Sequence, residues 1–165
     1  MIRRSAVLLG TFGLLMATLT ACGVEPSGVL HGGEAPTGVS PTTTLYYLGD
    51  QGNLVPDVRR TERLGTVTDA LALLMRSSQN TERGLHSAFN TRSADGHSPQ
   101  VTESDELITV VLPLASYEIG SLGVDQFVCT ALGVHRQAGR PADAKVVVTL
   151  TTGERLGPRT CPVLR

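Results

Sequence analysis

Residues 66–77 read Thr-Val-Thr-Asp-Ala-Leu-Ala-Leu-Leu-Met-Arg-Ser, and they decide the fold class. Val67, Ala70, Leu71 and Leu74 recur at i, i+3, i+4 and i+7, the spacing of one buried helix face. Thr66 or Thr68 caps the start, and Asp69 puts a negative charge in the first turn. Polar Ser77-Ser78-Gln79-Asn80 ends it. Before this helix, Thr44–Leu48 (TLYYL) is β-prone on both faces and predicts a buried strand. The cluster Gly49–Asn53 is a turn. Leu54–Arg60 alternates, with Leu54, Pro56 and Val58 on one face and Asp57 and Arg59 on the other. Pro56 lacks an N–H, so this strand belongs at a sheet edge.

Beyond the helix, residues 80–99 read mostly as loop, with Gly84 as a helix stop. Gln100–Glu103 is a short strand, and Leu107–Leu112 (LITVVL), apolar on both faces, is a central one. A second helix is expected over Gly123–Val134, with a core stripe of Val124, Phe127, Val128, Ala131 and Leu132. Ala144–Leu150 is a strand, and a return segment follows from Arg155 to Val163. The expected class is α+β: one small domain over 44–165, one mixed sheet with two helices on one face, in the order β-β-α-β-β-α-β.

Of the 165 residues, 41% are hydrophobic, enough for a core and enough to exclude a wholly disordered or collagen-like chain. With 14 basic and 15 acidic residues the net charge is −1, which argues against a nucleic-acid binder. Lys145 is the only lysine, a pattern read as compositional bias.

The N-terminus carries a basic Arg3-Arg4 and then an uncharged apolar stretch, Ser5–Leu19, shorter than the ~20 residues of a membrane-spanning helix. It ends in Leu19-Thr20-Ala21-Cys22, which resembles the bacterial lipobox. That resemblance implies a lipoprotein signal peptide over 1–21, cleavage before Cys22, acylation of its thiol (palmitate), and a chain anchored at the extracytoplasmic face of the cell membrane. Export by the Sec or the twin-arginine route is left open. Residues 22–43, rich in Gly, Pro, Ser and Thr, form a flexible tether with a reach on the order of 25 Å. Its Pro41-Thr42-Thr43-Thr44 run is an ordinary linker or a carrier of O-linked sugar.

Several pieces together resemble the GerMN domain, named for a spore-germination protein. They are Leu45-Tyr46-Tyr47-Leu48, the hairpin ending in Leu54-Val55-Pro56 with Arg59-Arg60, and the helix from Thr68 to Leu74. Gly84-Leu85, Ser87-Ala88, Leu107–Leu112 and the helix from Val124 complete the match, over about Thr44 to Leu156. The resemblance implies a small extracytoplasmic α+β domain of the kind found in sporulation proteins and actinobacterial envelope lipoproteins, acting as a binding or assembly module. It implies no catalytic set. The polar loop Ser87–Pro99, and Phe89-Asn90 where the family often has proline, depart from the pattern.

The residues themselves offer little chemistry. No two of His31, His86, His97 and His135 have close metal-ligand spacing. His86 and His97 share a loop and could meet a metal with Asp95, but loop histidines are more often solvated. His135 extends the second helix's apolar stripe and reads as structural. Ser87 follows His86 without a nucleophile elbow. Carboxylates at Asp105, Glu106 and Glu118 could meet near strand ends. Gly49, Gly52 and Gly153 read as turns, not as a phosphate loop. Arg59, Arg60, Arg63, Arg76 and Arg83 interleave with Glu62, Asp69 and Glu82, normally a mixed solvated surface.

The expected function is therefore a non-catalytic envelope binding or assembly module with no cofactor and no metal. The alternative is a small cell-wall or lipid-processing hydrolase. Its expected partners are the membrane, through the lipid, and an envelope protein or cell-wall polymer. The expected docking surface combines the edge strand with the loop Ser87–Pro99. There Pro56, Arg59 and Arg60 limit indiscriminate pairing, and the two arginines steer an acidic partner. Cys129 and Cys161 are the two cysteines left once Cys22 is lipidated, and an oxidising exterior favours a disulfide between them. Two separate buried thiols are the alternative. Cys129 lies about 130° from the centre of its helix stripe, where it can reach a chain segment passing beside the helix.

Overall fold

A computed structural model describes residues 42–62, 65–77, 79–80, 83–90, 92 and 96–164. All lie in the compact unit Pro36–Arg165. Cys22, His31, Arg63, Glu82 and Asp95 fall outside the described residues.

The chain begins with a hairpin, β1 (Thr42–Leu48) and β2 (Leu54–Arg60), paired in unbroken antiparallel register from Thr42–Arg60 to Leu48–Leu54. Helix α1 (Val67–Arg76) follows. Thr66 is its cap: its hydroxyl oxygen accepts the Asp69 N–H at 3.1 Å, and Asp69 Oδ2 accepts the Thr66 N–H at 2.9 Å. This reciprocal box satisfies two donors that the first turn leaves without helical partners. Two short strands, β3 (Gln79–Asn80) and β4 (Leu85–His86), occupy what the sequence reads as loop. Then come β5 (Gln100–Glu103), β6 (Leu107–Val111), helix α2 (Ser121–Gln137), β7 (Lys145–Thr149) and β8 (Arg155–Arg159).

The class is α+β and the order roughly the expected one, with β3, β4 and β8 added to it, but the strands form two sheets instead of one: β2-β1-β4-β3 and β5-β6-β7-β8. The second is mixed. Its centre is the parallel pair β6–β7, with antiparallel strands outside. Parallel neighbours need a crossover of a dozen or more residues, and α2 supplies it. The helices do not share one face either. Helix α2 packs on β1 of the first sheet and β7 of the second, and α1 packs on α2 and β1.

That position explains why α2 is buried nearly all round, from Gly123 to His135 with only Asp125 excepted. A helix between two sheets needs small residues where backbones approach. A Cβ on Gly123 would stand 2.3 Å from the Ala88 carbonyl oxygen, closer than any side chain tolerates. The helix is also longer than its apolar stripe suggests. Buried Gln126, Thr130 and His135 extend the packed surface through hydrogen-bonding groups.

Two strand faces run against the pattern. In β6, Ile108 and Val110 are inside while Leu107 and Val111 face outward, 36% and 40% exposed, so this central strand is apolar on both faces but buried on one. In β2 the alternation is inverted. Asp57 is buried, and Val58 on the other face is 58% exposed. The cause is charge pairing over the α1-covered face, described below.

Cys129 and Cys161 are joined by a disulfide, with Cα atoms 4.7 Å apart, fastening α2 to the segment after β8. Arg159 Nη2, at the end of β8, adds an ion pair to Asp125 Oδ1 of α2 at 2.9 Å. No described helix is long and apolar enough to cross a membrane.

Candidate functional site

Strand β2 is the outer strand of the first sheet, and the orientation of its main chain follows from β1. The Tyr46 N–H donates to Thr130 Oγ1 at 3.0 Å, and the Tyr46 carbonyl accepts from Gln126 Nε2 at 3.2 Å. Both main-chain groups of one residue in an antiparallel strand point the same way. Tyr46 therefore turns away from β2, and Tyr46–Pro56 is a pair without ladder bonds, flanked by the bonded pairs Leu45–Asp57 and Tyr47–Val55. It follows that Leu54, Pro56, Val58 and Arg60 aim their main-chain groups at the open edge. Pro56 lacks its N–H where no ladder bond is lost, which is how an edge strand accommodates proline.

The side chains divide the same strand by face. Val55, Asp57 and Arg59 share the face of Thr43, Leu45 and Tyr47, over which α1 lies. Arg59 Nε reaches Asp57 Oδ2 at 2.6 Å, and Arg83 Nη1 reaches Oδ1 at 2.7 Å. Asp57's carboxylate is fully enclosed while Arg83's side chain stays largely exposed. A buried carboxylate is expensive unless charged donors meet it. Here the two arginines do, and the trio carries one positive charge in excess. Tyr47 Oη donates to the Ser77 carbonyl at 2.7 Å. Burial pushes the Tyr47 phenol above its ordinary value, opposed by the Arg59 guanidinium.

Pro56 and Arg60 are exposed, as expected of a docking edge, and Val58 lies between them on the same face. Arg59 departs from expectation. It is held by Asp57 and half-buried, so it organises the edge more than it offers a free charge. The described start of the loop, Ser87–Asn90, is not beside this edge. It leaves β4, which lies across β1 from β2. Its beginning is pinned to the core: Phe89 is buried against Phe127 with ring centroids 4.9 Å apart, and the Asn90 N–H donates to the Glu118 carbonyl at 2.7 Å. Asp57 and Arg83 were not legible as a pair, because alternation places Asp57 outward and 26 residues separate the two.

Two of the three candidate carboxylates, Glu118 and Asp105, are engaged in local contacts. Glu118 Oε2 accepts the Ala115 N–H at 2.7 Å, and Asp105 pairs with Arg140 at 2.9 Å. His135 is fully buried, with Nδ1 2.6 Å from Glu103 Oε1. It ties the end of α2 to β5, the structural role its stripe position suggests. A cleft of about 210 Å³ lies between α1 and the hairpin base, lined by Thr43, Thr61, Gly65, Asp69, Leu73 and others, but Asp69 is committed to the α1 cap. Among the described residues no three His, Cys, Asp or Glu side chains group as metal ligands.

No protein-family model matches the chain, and no curated protein matches it. Among solved structures it is similar to the tandem GerMN domains of the sporulation protein GerM from Bacillus subtilis, at 22% identity and a TM-score of 0.47 over 74% of this chain. The chain spans 42% of the length of that tandem protein.

Proposed function

We propose that the protein is a lipid-anchored module of the bacterial cell envelope that works by docking a partner and not by turnover. The observation that carries this reading is the open edge of β2: a seven-residue strand in full register with β1, with a main-chain row facing outward and an exposed aliphatic side chain at its centre. Such an edge accepts a further strand, with main-chain bonds for affinity and alternate side chains for specificity. The signal and lipobox residues ending at Cys22 support an anchor on the outer face of the cell membrane, with a tether that is shorter than the expected 22–43 because β1 already begins at Thr42. An envelope protein is the partner class, since an edge strand offers a row of main-chain donors and acceptors that another chain can match.

A photo-crosslinking residue at Val58 in the full-length chain, expressed in bacterial membranes, tests the docking. A discrete protein adduct, absent when the probe replaces Tyr117 (87% exposed and off the edge), is the expected result. No adduct from the Val58 position overturns the reading. The anchor is tested separately: Cys22→Ala is expected to leave the chain unprocessed and to abolish lipid labelling, and normal processing of that variant would refute it.

A further inference from the structure

We infer that Arg59 and Arg83 form a phosphate-binding site on the α1-covered face of the hairpin. The site is separate from edge docking: its ligand is a small oxyanion, and no partner strand is involved.

The chemistry starts from Asp57. Its carboxylate is fully enclosed, with Arg59 Nε on Oδ2 at 2.6 Å and Arg83 Nη1 on Oδ1 at 2.7 Å. A buried ion pair is weak evidence for stability, since apolar residues of similar volume often serve as well. What Asp57 achieves is positional. Two guanidiniums repel each other, and here each is pinned to one oxygen of a shared carboxylate, so they stand side by side.

The pinning leaves donors over. A guanidinium has five N–H groups. Arg83 uses one on Asp57, and Arg59 uses its Nε–H there and lies against the Tyr47 phenol, whose own proton goes to the Ser77 carbonyl. Both side chains reach solvent, at 34% and 65% exposure, so the remaining donors are accessible.

The backbone fixes both arginines from different segments. Arg59 is set by the β1–β2 register, opposite Thr43. Arg83 precedes β4, on the other side of β1, and reaches across to β2. Gly84, next to it, has φ 66°, and a Cβ there would stand 2.9 Å from Asp50 Oδ2, so glycine alone permits this approach.

Charge and shape select the ligand. At this corner Arg59, Arg83 and Arg76, the last residue of α1 before Ser77, stand against Asp57 and Asp50, which leaves one positive charge in excess. A guanidinium fork takes oxygens in pairs. Two forks side by side therefore call for an anion with more oxygens than the two of a carboxylate, and a phosphate group supplies them. Asp57 pairs with Leu45, three residues along β1 from Thr42, about 10 Å from where the segment leading to Cys22 enters the domain. On the anchor reading, lipid headgroups of the same membrane offer this phosphate chemistry, and so does the free anion.

The full-length chain in neutral detergent, titrated with inorganic phosphate at an ionic strength held constant with chloride, tests the site through its arginine Nε–Hε NMR signals. Saturable shifts at Arg59 and Arg83 are expected, with none when chloride alone is raised. Arg83→Lys keeps a charge for Asp57 but loses the fork, and is expected to weaken the apparent affinity roughly tenfold while the thermal unfolding midpoint is retained. Arg83→Gln is expected to abolish saturation. Arg155→Gln, which removes an exposed charge on β8, is expected to leave the affinity unchanged. Phosphatidylglycerol nanodiscs, added in place of phosphate, separate the sources: the same shifts assign the lipid headgroup, and shifts with inorganic phosphate only assign the free anion. No saturable shift in the unsubstituted chain from either source overturns the inference, whatever the variants do. Equal weakening by Arg155→Gln and Arg83→Lys overturns it too, because the binding would then follow net charge and not this pair.

Discussion

In the sheet β5-β6-β7-β8 the two central strands have strands on both sides, whereas in β2-β1-β4-β3 strand β1 has a full-length strand on one side only. On its other side β4 meets it at a single pair, Leu48–His86. The remainder of that edge is satisfied by α2. Thr130 and Gln126 bond both main-chain groups of Tyr46, and Gln126 Oε1 accepts the Ala88 N–H at 2.7 Å. One sheet is closed by strands and a covalent staple, the other by polar side chains of a buried helix. The first tolerates polar loss poorly only at its ends, while the second depends on buried hydrogen bonds that must all be made.

The largest expected effect removes the staple. Replacing Cys129 and Cys161 together by Ser opens a loop of 32 residues' separation and is expected to cost about 3–4 kcal/mol in the chain-entropy account. Urea unfolding monitored by circular dichroism measures it. Loss confined to the disulfide sheet would show in hydrogen exchange as faster β7 and β8 amides. Faster exchange throughout would mean that the two sheets unfold as one unit.

The second test strikes the other sheet. Gln126→Leu keeps the volume but leaves the Ala88 N–H and the Tyr46 carbonyl buried without these partners. A buried orphaned group costs roughly 1–3 kcal/mol and the part-buried Ala88 N–H lies at the low end, so a loss of about 2–4 kcal/mol is expected. The Ala88 amide should exchange far faster while Val146 and Val148, in the β7 ladder, stay protected. Equal protection at Ala88 would show that the helix does not complete β1.

Thr66→Ala removes the α1 cap, whose hydroxyl bonds the Asp69 N–H. The expected loss is about 1 kcal/mol, and Thr66→Asn should recover most of it. Because α1 covers the hairpin face and not the second sheet's centre, the loss should appear at β1 amides before β6 amides.

What the sequence made legible follows from how local each cause is. The α1 stripe and its cap are set within eleven residues, and the hairpin with its proline edge within nineteen. The helix and the existence of the edge hairpin read correctly, though the faces of β2 did not. The disulfide was reachable because the lipobox resemblance left two cysteines to pair. The division into two sheets was hidden because it depends on Gln126 and Thr130, which look like the polar side of a surface helix until β1 is set against them. Asp57 was hidden for a related reason. Period-two alternation assigns faces by polarity, and a charge pair with Arg83 overrides that assignment from a distant segment. The edge itself was legible, whereas the start of the loop Ser87–Pro99 leaves from β4 on the other side of β1, because strand order across β1 is not encoded locally.

The smallest effect at neutral pH separates the sheets by titration. Tyr46 and Tyr47 both lie on β1, and burial raises both phenols above their ordinary 10.0, against the pull of Arg136 on the first and Arg59 on the second. The folded state therefore binds these protons more tightly than the unfolded chain does, so stability is undiminished below pH 10 and falls as pH rises from 10 through the folded values. An ultraviolet titration should show Tyr46 and Tyr47 ionising above the ordinary phenol range. In Tyr47→Phe the alkaline loss of stability should shrink, because one of the two raised phenols is gone, while the Ser77 carbonyl loses the hydroxyl that bonds it. Alkaline exchange should rise first at β1 amides and only later at the β6–β7 pair, where no tyrosine lies. Simultaneous onset in both sheets would break the distinction between them.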